Sequence, residues 1–214
     1  GSIATKVVLP IPGVVGMTAT VSGLVWSKDP EELRKLIAGW DGTPAAGTAH
    51  LLLDGVMFDY RFSPGDPRHL RPFTLTDVRD VTIRNALFDG DVARGVSARD
   101  DGRGFAFGLG VQRSDGVRVE HSEFRSFLRG LIVSESRNVA LIANDLHDLR
   151  SDGMDFAQVS GLRIEGNHIH AFATAQGTDD HADMIQIWTN GTTAPSTDIV
   201  IRDNVLDAEG RGYT

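Results

Sequence analysis

A repeated strand pattern limits what this 214-residue chain can fold into. Each copy has two apolar residues separated by one position, then three mostly polar or small residues, then one variable and one further apolar residue. Successive copies start 36, 22, 23 and 37 residues apart. The copies are VTIRNALFDG from Val81, VRVEHSEFRS from Val117, VALIANDLHD from Val139, LRIEGNHIHA from Leu162 and IVIRDNVLDA from Ile199. This periodicity indicates a solenoid of stacked β-coils.

A second series of segments repeats in step with the first, at offsets of 22, 23 and 31 residues. Its members are FGLGV from Phe107, RGLIV from Arg129, DGMDF from Asp152 and DMIQI from Asp183. Two registers that advance together predict an all-β fold, namely a right-handed parallel β-helix with about 22 residues per coil over residues 51–214. The longer gaps are then insertions at the turns of single coils.

One column of this register follows the first strand of each coil and contains Ser122, Asn144, Asn167 and Asn204. Residues in the same column of neighbouring coils lie roughly 4.8 Å apart. We therefore predict a ladder of amide side chains that bond to the coils above and below, on backbone that tolerates the left-handed conformation. The role of this column is structural.

The first fifty residues follow a different pattern. Asp29 as N-cap and Pro30 at the first helical position, followed by apolar residues at helical spacing, predict a short capping helix within residues 29–50. Residues 1–28 are expected to form an arm, extended strands or a plain first coil, and an arm would suit docking to a particle or another protein. A single strand is expected over Leu51–Phe58.

Charge and composition exclude several classes of protein. The net charge of −8 argues against a nucleic-acid partner, and the absence of cysteine excludes thiol catalysis and thiolate metal sites. Two prolines and three glycines interrupt the apolar stretch Val7–Val25, so we expect no membrane span. No charged-then-apolar leader is visible at the N-terminus.

Three segments resemble the pectate-lyase-like β-helix superfamily, over roughly residues 50–214. They are SDGMDF from Ser151, GLRIEGNHIHAF from Gly161 and DDHADMIQIWTNGTTAPSTDIVIRDN from Asp179. The superfamily includes glycan lyases, epimerases and spikes of phages or gene-transfer particles. The resemblance implies a polysaccharide partner and an extracellular or virion-associated location. The Asp-Pro-His-Glu motif of alginate epimerases is absent, which argues against that activity.

The register also brings polar residues of two adjacent coils together. The stacked pairs are Arg150 over His181, Asp152 over Asp183 and Asp155 over Gln186. Because the apolar neighbours of Asp155 must face the core, its own side chain is expected to point outward. Asp179 and Asp180 lie on the insertion just ahead of this second coil.

Three interpretations of this patch stay open. In a glycan-binding groove, Trp188 or Phe172 would stack on a sugar ring, and the polar groups would bind its hydroxyls. The binding residues would be Arg129, Arg150, Asp179, Asp180, Gln186 and Trp188. In a catalytic site, stacked carboxylates would push their pKa values apart. The catalytic residues would be Asp152, Asp155, His181 and Asp183. In the third interpretation, the aspartates cap turns and Arg150 neutralises them.

No cofactor is required by any of these interpretations, although a calcium ion would suit the aspartates in each of them. His147 and His170 stack in another column, with His168 nearby, on a different face. We expect these histidines to be solvated rather than to bind a metal.

The amino-acid types that are absent from the coils limit which side chains could act as the base of a lyase. The lysines all precede the coils, and the tyrosines are Tyr60 and Tyr213, so the middle coils supply no lysine or tyrosine base. A lyase would then depend on Arg129, Arg150 or His181.

A hydrolase needs two carboxylates at a defined separation. Asp152 with Asp183 would suit the shorter, retaining geometry. Asp155 with Asp183 or Asp180 would suit the longer, inverting one.

We expect the chain to recognise a bacterial or extracellular polysaccharide along the β-helix. The protein would then be a spike or an adhesin-like component. A polysaccharide hydrolase or lyase is the alternative, and a purely structural spike segment is a third. The coil that begins at Ile199 is incomplete at Thr214. Because an open end exposes unpaired backbone, we expect further coils or association into a homo-oligomer, such as a trimer.

Overall fold

The computed structural model describes residues 19–22, 25–26, 49–174 and 180–208, and within them it contains strands and no helix. The strands are β1 Ala19–Ser22, β2 Val25–Trp26, β3 Ala49–Asp54, β4 Met57–Asp59, β5 Phe73–Thr76, β6 Arg79–Arg84, β7 Leu87–Asp89, β8 Asp91–Val92, β9 Gly104–Phe105, β10 Phe107–Gln112, β11 Asp115–Glu120, β12 Glu123–Arg125, β13 Arg129–Ser134, β14 Arg137–Ile142, β15 Asp145–His147, β16 Met154–Ala157, β17 Ser160–Glu165, β18 His168–Ile169, β19 Ile185–Trp188, β20 Thr197–Arg202 and β21 Val205–Leu206.

Nineteen of these strands form three parallel sheets. Sheet 1 has the order β1-β3-β6-β11-β14-β17-β20, sheet 2 the order β2-β4-β7-β12-β15-β18-β21, and sheet 3 the order β5-β10-β13-β16-β19. The strands β8 and β9 form a separate antiparallel pair in the insertion ahead of β10. Each full coil therefore contributes one strand to each sheet in turn, and the predicted right-handed parallel β-helix is confirmed.

The register within the sheets is the one that the repeats predict. Val81 pairs with Val117 in sheet 1, and Phe107 pairs with Arg129 in sheet 3. The irregular spacings come from insertions at turns, because the strands pair without a slip on either side of them.

The core lies between the three sheets and is formed by every second residue of each strand. Phe58, Phe88 and Phe124 stack face to face in one column of sheet 2, with ring centroids 4.3 and 4.2 Å apart. Such a stack contributes about 0.5–1.5 kcal/mol per pair beyond the burial of apolar surface. The same residues therefore bury the core and hold the coils in register.

Glycines stack in a column at the starts of the strands of sheet 3, and they let adjacent coils approach closely. A Cβ atom on Gly130 would lie 2.6 Å from the carbonyl oxygen of Gly153, and one on Gly153 would lie 2.5 Å from that of Met184. Because only glycine fits at such a distance, the backbones beside Arg129 and Asp152 are held close together. This contact positions the polar residues described in the next subsection.

The predicted side-chain ladder is present. Asn144 N donates to Asn167 Oδ1 (2.9 Å), Asn167 N donates to Asn204 Oδ1 (2.9 Å), and the column ends at Ser122. One detail differs from the expectation, since the left-handed residue is the one before the ladder position, as at Ala143 with φ 53°. The turn bends there, and this leaves the asparagine free to bond along the column.

Two expectations at the N-terminal end have different outcomes. The single strand expected over Leu51–Phe58 is wrong, because Gly55 adopts φ 67° and separates β3 from β4. The expected capping helix and most of the arm lie outside the described residues, while β1 and β2 pair with β3 and β4 as part of a further coil.

Within the described ranges, no helix has the length and apolarity needed to cross a membrane.

Replacing Asn167 by alanine should lower the free energy of unfolding by about 3 kcal/mol, because it removes the acceptor of the buried Asn144 N–H and a hydrogen bond to the Leu141 carbonyl. Urea unfolding measures this loss. The control is Asn190→Ala, at an exposed turn position. Equal losses in the two variants would contradict a stabilising ladder.

Candidate functional site

The candidate site lies on the outer face of sheet 3, where β13, β16 and β19 are adjacent. In β16 the side chains of Met154 and Phe156 belong to the hydrophobic core, so Asp155 between them lies on the opposite face. Asp155 pairs with Ile132 on one side and Gln186 on the other. The alternation of a β-strand therefore sets the direction of Asp155, as the sequence predicts.

Arg129, at the start of β13, binds two aspartates of the next coil. Its Nη1 donates to Asp155 Oδ2 at 2.8 Å, and its Nη2 lies 2.9 Å from Asp152 Oδ2. The side chains of Asp152 and Asp155 are only 0% and 3% exposed. One guanidinium thus faces two buried carboxyl groups, and its single charge cannot neutralise both if both are ionised.

Burial raises the pKa of both carboxyl groups. Burial raises the pKa of Asp155 to about 7, with a further contribution from the charge of Asp152, while Arg129 opposes the shift. Burial also raises the pKa of Asp152, again against the attraction of Arg129. Asp155 Oδ1 is buried and has no hydrogen-bond partner among the described residues.

Asp183 forms the more exposed part of the site. Gln186 Nε2 donates to Asp183 Oδ2 at 2.7 Å, and His181 Nδ1 lies 3.2 Å from the same oxygen. The Asp183 backbone N–H donates to Asp152 Oδ1 at 3.2 Å. This bond confirms that Asp152 and Asp183 lie one above the other, and it links the buried and exposed carboxyl groups.

A small cavity of about 210 Å³ opens on the same face. Asp155, Arg129 and Trp188 line it together with Phe107 and Arg71. Trp188 is 39% exposed. Arg129 and Arg71 lie over the Phe107 ring, 5.6 and 5.8 Å from its centroid. The cavity therefore combines an exposed aromatic side chain with charged groups held in place by neighbours.

Phe107 and Arg71 are cavity residues that were not predicted from the sequence. Phe107 pairs directly with Arg129, so the column argument that located Asp155 could also have located Phe107. Arg71 precedes the first strand of sheet 3 and belongs to no repeat, so no periodic signal marks it.

Arg150 and Asp180 belong to a separate group of ion pairs. Arg150 is fully buried, and its Nη2 donates to Asp180 Oδ2 at 2.6 Å while its Nη1 donates to Asp100 Oδ1 at 2.7 Å. Arg68 and Arg99 bind the other oxygen of Asp180 at 2.6 and 3.2 Å. This group ties the insertion that contains Asp100 to the segment just ahead of β19.

The charge state of Asp180 follows from these partners. Burial would raise its pKa, but hydrogen bonds from Arg150 and Arg68 hold that pKa well below its usual range. Arg150, Arg68 and Arg99 together therefore neutralise Asp180 and Asp100, while Arg129 alone faces Asp152 and Asp155. Asp179, the remaining residue of the predicted set, lies outside the described residues.

Of the two aromatic residues expected to stack on a sugar ring, Trp188 remains a candidate and Phe172 does not. Phe172 belongs to the hydrophobic core and does not line the cavity. Trp188 is exposed and lines the cavity.

Three side chains of the site also have the geometry to share a metal ion. One ligand atom each of Asp152, His181 and Asp183 lie within 4.8 Å of one another. Two carboxylates and an imidazole suit a transition metal better than calcium, which takes six to eight oxygen ligands. Calcium binding here stays a prediction.

Comparisons with known proteins show the fold class and no family. Neither a family description nor a curated protein sequence matches the chain. Among solved structures, the chain is similar to PfbA, a surface adhesin of Streptococcus pneumoniae, at a TM-score of 0.56 and 11% identity over 74% of this chain and 42% of the adhesin. An alginate lyase from Paenibacillus sp. str. FPU-7 matches at a TM-score of 0.42 and 13% identity over 86% of this chain and 65% of the lyase. The chain thus spans less than two thirds of either protein.

Replacing Asp155 by asparagine should change how stability depends on pH. The folded protein holds the Asp155 proton up to about pH 7, whereas an unfolded chain releases it near its usual pKa of 3.8. Between these values unfolding releases a proton, so the wild type should lose stability relative to Asp155→Asn as the pH rises from about 4 to about 7.

Urea unfolding across this pH range measures the difference, and Asp203→Asn, at an exposed side chain, is the matched control. Parallel stability profiles for the wild type and Asp155→Asn would show that the Asp155 pKa is not raised.

Proposed function

We propose that the outer face of sheet 3 binds a polysaccharide at the cavity between Trp188 and Arg129. The observation that carries this proposal is the combination, in one cavity, of an exposed indole ring and a carboxyl group fixed by a guanidinium. Sugar rings present apolar faces and hydroxyl edges, so they are bound by an aromatic surface beside fixed polar groups.

The geometry of the β-helix suits an extended ligand. The site residues come from β13, β16 and β19 on three adjacent coils, which together span roughly 10 Å at the usual strand spacing. A glycan lying along the coil axis would meet one set of side chains per coil. Asp155, Gln186 and Trp188 would then bind neighbouring parts of one chain.

The net charge of the chain favours a glycan without a high density of negative charge. Arg129 is already engaged by two carboxyl groups, and the whole chain carries a net charge of −8. A strongly anionic polymer would meet repulsion before it reached the cavity.

The proposal includes membership of the pectate-lyase-like superfamily and an extracellular location. The fold that this chain shares with a surface adhesin supports both, although a shared fold is only an analogy for function. A homo-oligomer such as a trimer, a particle partner and a virion location stay predictions without further support, and light scattering tests the oligomer.

Replacing Trp188 by alanine should weaken polysaccharide binding at least about tenfold, because it removes the exposed ring of the cavity. A glycan array of bacterial polysaccharides identifies the ligand, and calorimetry measures the dissociation constant. Val200→Ala, at an exposed apolar position of sheet 1, is the control. Failure of the wild type to bind any glycan would refute the proposal.

A second candidate function, polysaccharide hydrolysis, is favoured by the raised pKa of Asp155. A carboxyl group with a pKa of about 7 holds a proton that it can donate to a glycosidic oxygen near neutral pH. Asp183, more exposed and bound by Gln186, would serve as the second carboxylate. Asp155 lines the cavity and Asp152 does not, so Asp155 is favoured over Asp152 as the proton donor, while Asp183 lies beside the cavity and does not line it.

A lyase is less compatible with this geometry. Two of its three candidate bases, Arg129 and Arg150, are guanidinium groups that bind aspartates and do not lose a proton in proteins. His181 is the remaining candidate.

If the site is hydrolytic, Asp155→Asn should lower the cleavage rate about 10²- to 10⁴-fold while glycan binding persists, because the amide keeps the shape but cannot donate the proton. Reducing-end assays on the glycans identified by the array measure cleavage, with Asp203→Asn as control. No cleavage by the wild type would exclude hydrolysis of those glycans and leave the binding proposal intact.

A further inference from the structure

A second group of polar side chains lies on the outer face of sheet 2, away from the cavity. Parallel pairing places Asp145 of β15 beside His168 of β18, and His170 follows directly after β18. His147, at the end of β15, lies beside them, with its ring centroid 5.3 Å from that of His170. Adjacent coils therefore bring three imidazoles and a carboxylate together.

The distances within this group fit a metal ion. His170 Nε2 lies 2.9 Å and His168 Nδ1 lies 3.7 Å from Asp145 Oδ1, and one ligand atom of each residue lies within 4.8 Å of the others. A tetrahedral zinc ion with bonds of about 2.0–2.1 Å holds its ligand atoms about 3.4 Å apart. The two contacts to Asp145 lie on either side of this value.

In place of the solvated role expected from the sequence, we propose that Asp145, His168 and His170 form a binding site for a divalent transition metal of the zinc type. Imidazole nitrogens bind zinc, nickel and copper, whereas calcium and magnesium prefer oxygen ligands. Three protein ligands leave a fourth position for water or an external group.

Metal binding requires one ring to turn. The rings of His168 and His170 are stacked with centroids 3.9 Å apart and an angle of 17° between their planes. Nearly parallel rings cannot both direct an in-plane lone pair at one ion. The His168 and Asp145 side chains are 45% and 50% exposed, so solvent leaves room for a change of rotamer, which would replace the ring stack on His170.

The surrounding charges favour a cation. His147 lies between two further carboxylates, with Nε2 at 3.2 Å from Glu123 and Nδ1 at 2.8 Å from Asp148. Arg125 is a nearby cation, and it is engaged by Asp89 and Glu123. The acidic groups therefore outnumber the basic ones around the proposed ligands.

A bound ion would link two coils. Asp145 follows Asn144 of the ladder, and His168 follows Asn167, so the metal would join the same two coils that the asparagine ladder joins. A ligand that binds only the folded chain stabilises it. This site would therefore reinforce the stack from its surface, independently of any glycan bound on sheet 3.

The test is titration of metal-free protein with zinc chloride by calorimetry, together with thermal unfolding. We expect one zinc ion per chain, a dissociation constant on the order of 10 μM or lower, and a thermal midpoint raised by a few degrees. Asp145→Asn and His168→Ala should each weaken binding at least about tenfold. Both side chains are half exposed, and the thermal midpoint without metal checks that the variants fold.

The matched control is His181→Ala, because His181 belongs to the other group with metal-binding geometry. Zinc binding that survives His181→Ala and is lost in His168→Ala supports the site on sheet 2. The opposite pattern, or no saturable binding at about 1 mM zinc, overturns it.

Discussion

The close parallel stacking of one coil on the next is the constraint on which the rest of this structure depends. Backbone hydrogen bonds set the spacing, and two further devices keep it uniform. Asn144 and Asn167 bond along the ladder column on one side, and the missing side chains of Gly130 and Gly153 permit carbonyl contact on the other. A shift by one residue would turn core residues outward and separate every column. The polar groups that face each other across coils are therefore held by the same contacts that form the core.

This stacking also explains why Asp155 differs from an ordinary surface aspartate. Its position in β16 directs it away from the core, yet Arg129 of the preceding coil and the backbone around it exclude water. The carboxyl group is thus desolvated by its neighbours on the sheet and not by the core. A single guanidinium shared with Asp152 offsets only part of that cost, so the proton is held more tightly.

The repeats were sufficient to predict the sheets, the ladder and the stacking of Asp155 on Gln186, because all of these depend on position along a coil. They could not predict that Arg129 binds Asp152 and Asp155, since that contact depends on how a long side chain lies across one coil. They also could not predict that Asp180 is bound by Arg68 and Arg99, which lie outside the repeats. Side chains contributed by insertions obey no period, and only the folded chain brings them together.

The state of Asp155 links binding to chemistry at this site. A glycan that fills the cavity would displace water from beside Trp188 and would lower the local dielectric further. Lower polarity favours the neutral carboxyl group and would shift the pKa of Asp155 upward from about 7. Glycan binding would therefore load the proton that acid catalysis requires. If the site serves for recognition alone, the same upward shift of the Asp155 pKa would have a different effect. A neutral Asp155 would donate a hydrogen bond to a sugar hydroxyl and would leave Arg129 paired mainly with Asp152.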